Sequence, residues 1–90
     1  MQYKNEKTLH LIKKFGNTIQ FQREKLKKSQ RLLALEYELD SGNLNRIENG
    51  KIDPKLTMLW RIAEALEMPL SEIIKSLENE LGDDFHITEQ

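Results

Sequence analysis

"SQRLLALEYELDSGNLNRIENGK", Ser29 to Lys51, sets a regular apolar skeleton inside a mostly polar stretch. Leu32, Leu33, Ala34 and Tyr37 are spaced for a helix of about two turns, and Leu44 and Ile47 for one face of another. Ser29 suits the N-cap of the first, because its hydroxyl accepts from the open N–H groups of a starting turn. Asp40 suits the same place ahead of the second, which runs from Ser41 to about Asn49 and stops at Gly50. Glu38 and Leu39 form the break between them. Two short helices joined by a tight turn make a helix-turn-helix pattern, which on spacing alone fits many small bundles.

Working outward, Leu9, Ile12, Phe15, Ile19 and Leu26 step mainly by three and four, a helical stripe ahead of the quoted stretch. Gly16 inside it weakens the helix by about 1 kcal/mol against Ala, or marks where a leader gives way to the first helix proper. On the other side, Pro54 stands just ahead of a fourth helix carrying Leu56, Leu59, Ile62, Ala63 and Leu66, with Trp60 on its flank. Pro69 opens a fifth with Leu70, Ile73, Ile74 and Leu77. Trp60, Tyr37 and the phenylalanines read as core or core edge. After Gly82, "DDFHITEQ" has no periodicity and reads as a frayed tail. The expectation is an all-α fold of five helices. Its parts are a leader over 1–12, which a helical extension would also fit, a helix-turn-helix domain over 13–77, and an acidic tail over 78–90.

Composition narrows the function classes. With 90 residues the chain is one domain's worth, enough for a small core but not for a deep pocket. It has no cysteine, so disulfide scaffolds and thiolate zinc sites are excluded. No apolar run reaches membrane-spanning length and no signal-peptide pattern follows Met1, so a cytoplasmic protein without membrane contact is expected. Residues 1–50 carry ten Lys/Arg against six Asp/Glu, a net +4; residues 51–90 carry four against nine, a net −5. A basic half suits a polyanion and an acidic half would be repelled by one, although charges that merely solvate helix faces would count the same. His10 and His86 have no second ligand at metal-binding spacing. The glycines of "GNLNRIENG" lack phosphate-loop spacing, and no Ser has a His in a recognisable arrangement. No catalytic residue, metal or cofactor is expected.

The residues themselves say more than the spacing. "SQ" opening the second helix, "LA" three positions later, and "IENGK" closing the third, with "DP", "IAEAL" and "MPLSEII" following in register, resemble the phage-repressor/Cro type of helix-turn-helix. That lambda-repressor-like group is also called the xenobiotic-response-element family. The resemblance runs without a gap from about Phe15 to Leu77, and "FGNTIQFQREK" resembles the family's usual first helix.

This resemblance implies a sequence-specific double-stranded DNA-binding transcriptional regulator, a repressor, whose third helix lies in the major groove. Ser41, Gly42, Asn43, Asn45 and Arg46 would then face the bases. Asn can pair with adenine and Arg with guanine through paired hydrogen bonds there. Gln30, Arg31, Asn49 and Lys51 would hold the phosphate backbone, which sets register without reading sequence. Arg23 and Glu48 match a family pair that forms a largely buried salt bridge, for which a forked guanidinium is well suited. One small helix offers few base contacts, so a homodimer on a near-palindromic operator is expected, with half-sites about 10 bp apart. Leu70, Ile74 and Leu77 are the candidates for the dimer surface, with Ile73 assigned to the core.

Three departures from the family pattern stand out. Glu38 occupies the turn position where the family most often has Gly, at a cost if that position requires positive φ. Gly42 removes a side chain from the recognition helix. Glu36, Glu38 and Asp40 place negative charge near the expected DNA edge, against Lys25, Lys27, Lys28, Arg31, Arg46 and Lys51. Two alternatives share the fold: an antitoxin or adapter module binding a protein partner such as a toxin, and a restriction–modification controller. No separate ligand-binding domain is expected, and hence no small-molecule effector.

Overall fold

The computed structural model describes residues 5–88; residues 1–4 and 89–90, the outer ends of the expected leader and tail, lie outside this range. Five helices follow one another: α1 (Glu6–Lys25), α2 (Gln30–Glu36), α3 (Ser41–Glu48), α4 (Leu56–Ala65) and α5 (Leu70–Leu81). The fold is all-α. α1 packs on α3 and α5, α2 packs on α3 and α4, and α4 packs on α5. The apolar stripe of each helix meets in one core, where Ile19, Leu33, Leu44, Ile47, Ile62 and Ile73 have essentially no exposed surface. Each such side chain contributes about 1.5–3 kcal/mol by leaving water.

The caps explain where the motif helices begin. Ser29 Oγ accepts from Leu32 N at 3.0 Å, opening α2. Asp40 Oδ1 accepts from Gly42 N at 2.7 Å and Asn43 N at 3.1 Å, opening α3. Asn5 does the same for α1, accepting from Lys7 N at 2.7 Å.

The ends follow one rule. The second residue past the last full turn of α1, α2, α3 and α4 is left-handed: Lys27 (φ 58), Glu38 (φ 55), Gly50 (φ 68) and Glu67 (φ 58). After α2, α3 and α4 the next N–H folds back onto the helix: Leu39 N to Ala34 O at 2.8 Å, Lys51 N to Arg46 O at 2.8 Å, and Met68 N to Ala63 O at 3.1 Å. This closure satisfies carbonyls a helix end leaves open. Leu39 and Met68 then pack against the core, anchoring two of the turns with buried apolar surface.

Three expectations are corrected. Gly16 does not mark a boundary, because α1 is continuous from Glu6 to Lys25 and residues 12 and 13 lie within it. It is the point where α1 meets the end of α3: a Cβ there would collide with the Ile47 carbonyl and sit 2.6 Å from that of Glu48. The tail does not fray at Gly82. It turns back along α1, where Asn5 Nδ2 donates to the Ile87 carbonyl at 2.9 Å and the Phe85 and His10 rings lie 5.9 Å apart. Finally, Phe21 and Trp60 are not core, each being 60% exposed, because both sit on the outward faces of their helices. Phe15 is buried and Tyr37 half-buried.

Candidate nucleic-acid interface

The site begins at a buried carboxylate. Glu48, in the last turn of α3, is 4% exposed and faces Arg23 from α1. Arg23 Nε donates to Glu48 Oε2 at 2.7 Å and Arg23 Nη2 to Oε1 at 2.9 Å, a two-point grip. The remaining fork, Nη1, donates to the Lys28 carbonyl at 2.7 Å, tying in the loop that leads to α2. The hydrogen bond to Glu48 holds the guanidinium above the ordinary arginine value, with burial working the other way. Both charges are therefore paired and hydrogen-bonded, the condition under which they can be taken out of water.

From Glu48 a chain of hydrogen bonds reaches the surface. Gln30 Nε2 donates to Glu48 Oε1 at 2.9 Å, and Gln30 Oε1 accepts from Asn45 Nδ2 at 3.1 Å. The order is chemically forced. A carboxylate can only accept, so Gln30 turns its amide nitrogen inward and leaves its oxygen for Asn45. Asn49 Nδ2 donates to the Asn45 carbonyl at 2.9 Å, closing the last turn from the other side. α1, the start of α2 and the outer face of α3 are thus one polar assembly.

The expected base-reading residues share that outer face. Ser41, Asn45 and Arg46 are exposed, while Gly42 and Asn43 are half-buried. Arg46 Nη2 donates to Asn43 Oδ1, so the two side chains hold each other. Gly42 has a use here: a Cβ would sit 3.1 Å from Asp40 Oδ1 and 3.6 Å from Arg46 Nη1. The tight contact is the one with the capping carboxylate; the one with the guanidinium is ordinary van der Waals contact. α3 has eight residues, about 12 Å of helix, and a helix about 10–12 Å across with its side chains fits a major groove about 12 Å wide.

Of the residues expected to hold the phosphate backbone, Arg31, Asn49 and Lys51 are exposed and Gln30 is half-buried. The nearby acids are partly occupied. Lys28 Nζ lies 2.7 Å from Glu36 Oε1, which raises the lysine pKa above its ordinary value, and Asp40 spends Oδ1 on the α3 cap. Glu38 is exposed and adopts φ 55, so its turn does require a left-handed residue. Among the expected dimer residues, Leu70 and Ile74 are half-buried. Leu77 is only 6% exposed and belongs to the core, so it is removed from that surface. The Gln30 oxygen accepts from the recognition helix as the resemblance implied, but reading along the chain missed the Lys28 carbonyl and the Gln30–Glu48 bond. Neither has a sequence signal, because a backbone acceptor is anonymous and eighteen residues separate Gln30 from Glu48.

An exposed polar helix, set on a buried ion pair and preceded by a capped support helix, is the arrangement of a helix-turn-helix. Residues 19–73 match the helix-turn-helix family HTH_3, and the chain belongs to that family. Over 68 residues it is 35% identical to Control protein C.MunI from Mycoplasma sp, covering 74% of this chain and 92% of that protein. The restriction-modification controller protein C.AhdI from Aeromonas hydrophila aligns at a TM-score of 0.65 and 28% identity, over 71% of this chain and 96% of that one. The clp gene regulator ClgR from C. glutamicum shares the fold at a TM-score of 0.72 and 18% identity, over 80% and 92%. The first two of these relatives carry the names of control proteins, and the chain is a DNA-binding helix-turn-helix transcriptional regulator. Among the described residues, no helix is long and apolar enough to cross a membrane.

Proposed function

We propose that this chain is a controller-type regulator that acts as a homodimeric repressor on a near-palindromic operator. The observation that carries the controller assignment is coverage. The chain spans 92% of Control protein C.MunI and 96% of the C.AhdI controller at identities of 35% and 28%. In this reading α3 enters the major groove, with Asn43, Asn45 and Arg46 at base edges and Ser41 and Gly42 closest to the DNA wall. Gln30, Arg31, Asn49 and Lys51 hold phosphates, and the Arg23–Glu48 pair fixes the angle between α1 and α3.

The half-exposed Leu70 and Ile74 remain dimer candidates. Leu56 and Trp60 join them, since they lie four residues apart on the outer face of α4 and are 68% and 60% exposed. Covering them with a second copy would remove apolar surface from water and present two recognition helices about one turn of DNA apart.

In vitro selection on random duplex DNA tests the reading, followed by a salt titration on the best sequence and sedimentation of the free protein. The expected result is a near-palindromic motif, affinity that falls steeply with salt, and a dimer. Asn43→Ala and Arg46→Ala should each cost about 1–3 kcal/mol on that sequence and relax its selectivity. A protein that enriches no motif while remaining folded would defeat the proposal and favour a protein partner instead.

A further inference from the structure

Beneath the returning tail lies a cavity of about 730 Å³ that the DNA-binding reading leaves unused. Its body is apolar, with Leu11 and Phe15 from α1, Leu59 from α4, Ile74 and Leu81 from α5, and Phe85 from the tail. Its charged groups have one sign. Asp53, Glu78 and Asp83 line it together with His86, and among the described residues no lysine or arginine does. The size falls in the range of cavities that hold drug-sized molecules, which are mostly apolar with a few placed polar groups.

The walls also have a distinctive origin. Only Asp53, Pro54 and Leu59 fall within residues 19–73, the part that matches the family; the rest come from residues 8–15 and 74–88. The alignment with Control protein C.MunI likewise covers 74% of this chain while nearly exhausting its relative. The cavity wall thus lies mostly outside the residues that match the family model. It is closed by the Asn5–Ile87 hydrogen bond and the Phe85–His10 contact rather than by the common core.

We propose that this cavity binds a small amphipathic cation, an apolar body carrying an amine or quaternary ammonium group. The body would lie among Leu11, Phe15, Leu81 and Phe85, with the positive group toward Glu78 and Asp83. Electrostatic complementarity selects the cation, since an anion of the same shape would meet three carboxylates. Phe15 lines the cavity and Gly16, the next residue, packs against the end of α3, so the site borders the contact that positions the recognition helix. The proposal goes beyond operator binding and does not depend on which operator is recognised.

Calorimetric titration of the full-length protein with decylammonium and with decanoate, each below its micelle concentration, tests it. Decylammonium should bind saturably and raise the Tm, and decanoate should bind roughly fivefold more weakly or worse, the scale of about one charge pair. Glu78→Gln with Asp83→Asn changes only exposed side chains and should bring the two affinities together. Leu81→Trp should fill the cavity and abolish binding of both, with circular dichroism and operator binding reporting that the fold is kept. Equal affinity for the two ions overturns the proposed ligand class. The absence of saturable binding, or binding unchanged in a folded Leu81→Trp protein, overturns the site. If Ile74→Asp instead dissociates a dimer while the wild type takes up neither probe, a second copy is the occupant and the proposal fails.

Discussion

The two helices of the recognition motif stop in the same geometry with different residues. After α2 the left-handed position is Glu38, at φ 55; after α3 it is Gly50, at φ 68. Both chains then fold back to bond the helix just ended, through Leu39 and Lys51 at 2.8 Å. The surroundings differ. Glu38 is exposed, so its cost is the backbone alone, about 1–2 kcal/mol for a residue with a Cβ. Gly50 is buried against α1, where a Cβ would lie 2.6 Å from Lys13 Cγ and 3.0 Å from Lys13 Cα. Its glycine is required twice, by φ and by space. The end of α3 is therefore the rigid end of the motif, and the end of α2 is the tolerant one.

The largest effect should come from the ion pair at the rigid end. Arg23→Met strands the Glu48 carboxylate, and chemical denaturation should show a loss of about 3–5 kcal/mol. Adding Glu48→Leu should return most of it, although the double variant also removes the carboxylate that Gln30 donates to. A single variant with near-native stability would show that the end of α3 does not rest on this pair.

Placing the α2 residue at the α3 end sharpens the contrast. Gly50→Glu combines left-handed strain with a clash at Lys13 and should cost roughly 2–4 kcal/mol. Gly16→Ala probes the same contact from α1. Helix propensity alone would favour alanine by about 1 kcal/mol, yet the collision with the Ile47 and Glu48 carbonyls should make the protein less stable, by roughly 1–3 kcal/mol. The sign of that change decides between a loose helix and a close crossing.

The smallest effect has the opposite sign. Glu38→Gly relieves the strain but loosens the unfolded chain, leaving a gain of about 0.5–1 kcal/mol. In a domain of this size that is a Tm increase of a few degrees. It also removes an exposed negative charge beside α3, so DNA affinity at low salt should rise. A lower Tm would mean that the Glu38 side chain makes a stabilising contact of its own. Lys28 sets a matching expectation for pH. Its pKa is raised by Glu36, so whatever the pair contributes is present below the ordinary lysine value and is lost only as alkaline pH passes the raised one.

Much of the motif was legible because its signals are local. Ser29 and Asp40 are short polar residues directly ahead of apolar periodicity, and they cap α2 and α3. Pro69 announces α5, and the departure at Glu38 is visible against the family pattern. What was missed depends on pieces distant in sequence. Gly16 looked like a weak point because nothing nearby reveals that the end of α3 crosses there. Leu77 looked like surface because an apolar stripe does not say which of its members meets another helix. Phe21 and Trp60 looked like core because aromatic character predicts burial only on average.

The sequence by itself determined that the chain makes short capped helices, that their apolar faces are sized for one small core, and that α3 is polar outside. These follow from spacing and from the hydrogen-bonding chemistry of single side chains. Only the tertiary structure decided which carboxylate Arg23 meets, where Gly16 must lack a side chain, and that residues 82–88 return to α1 over an apolar cavity. Those outcomes depend on backbone approach between segments far apart in the chain, which no local pattern encodes.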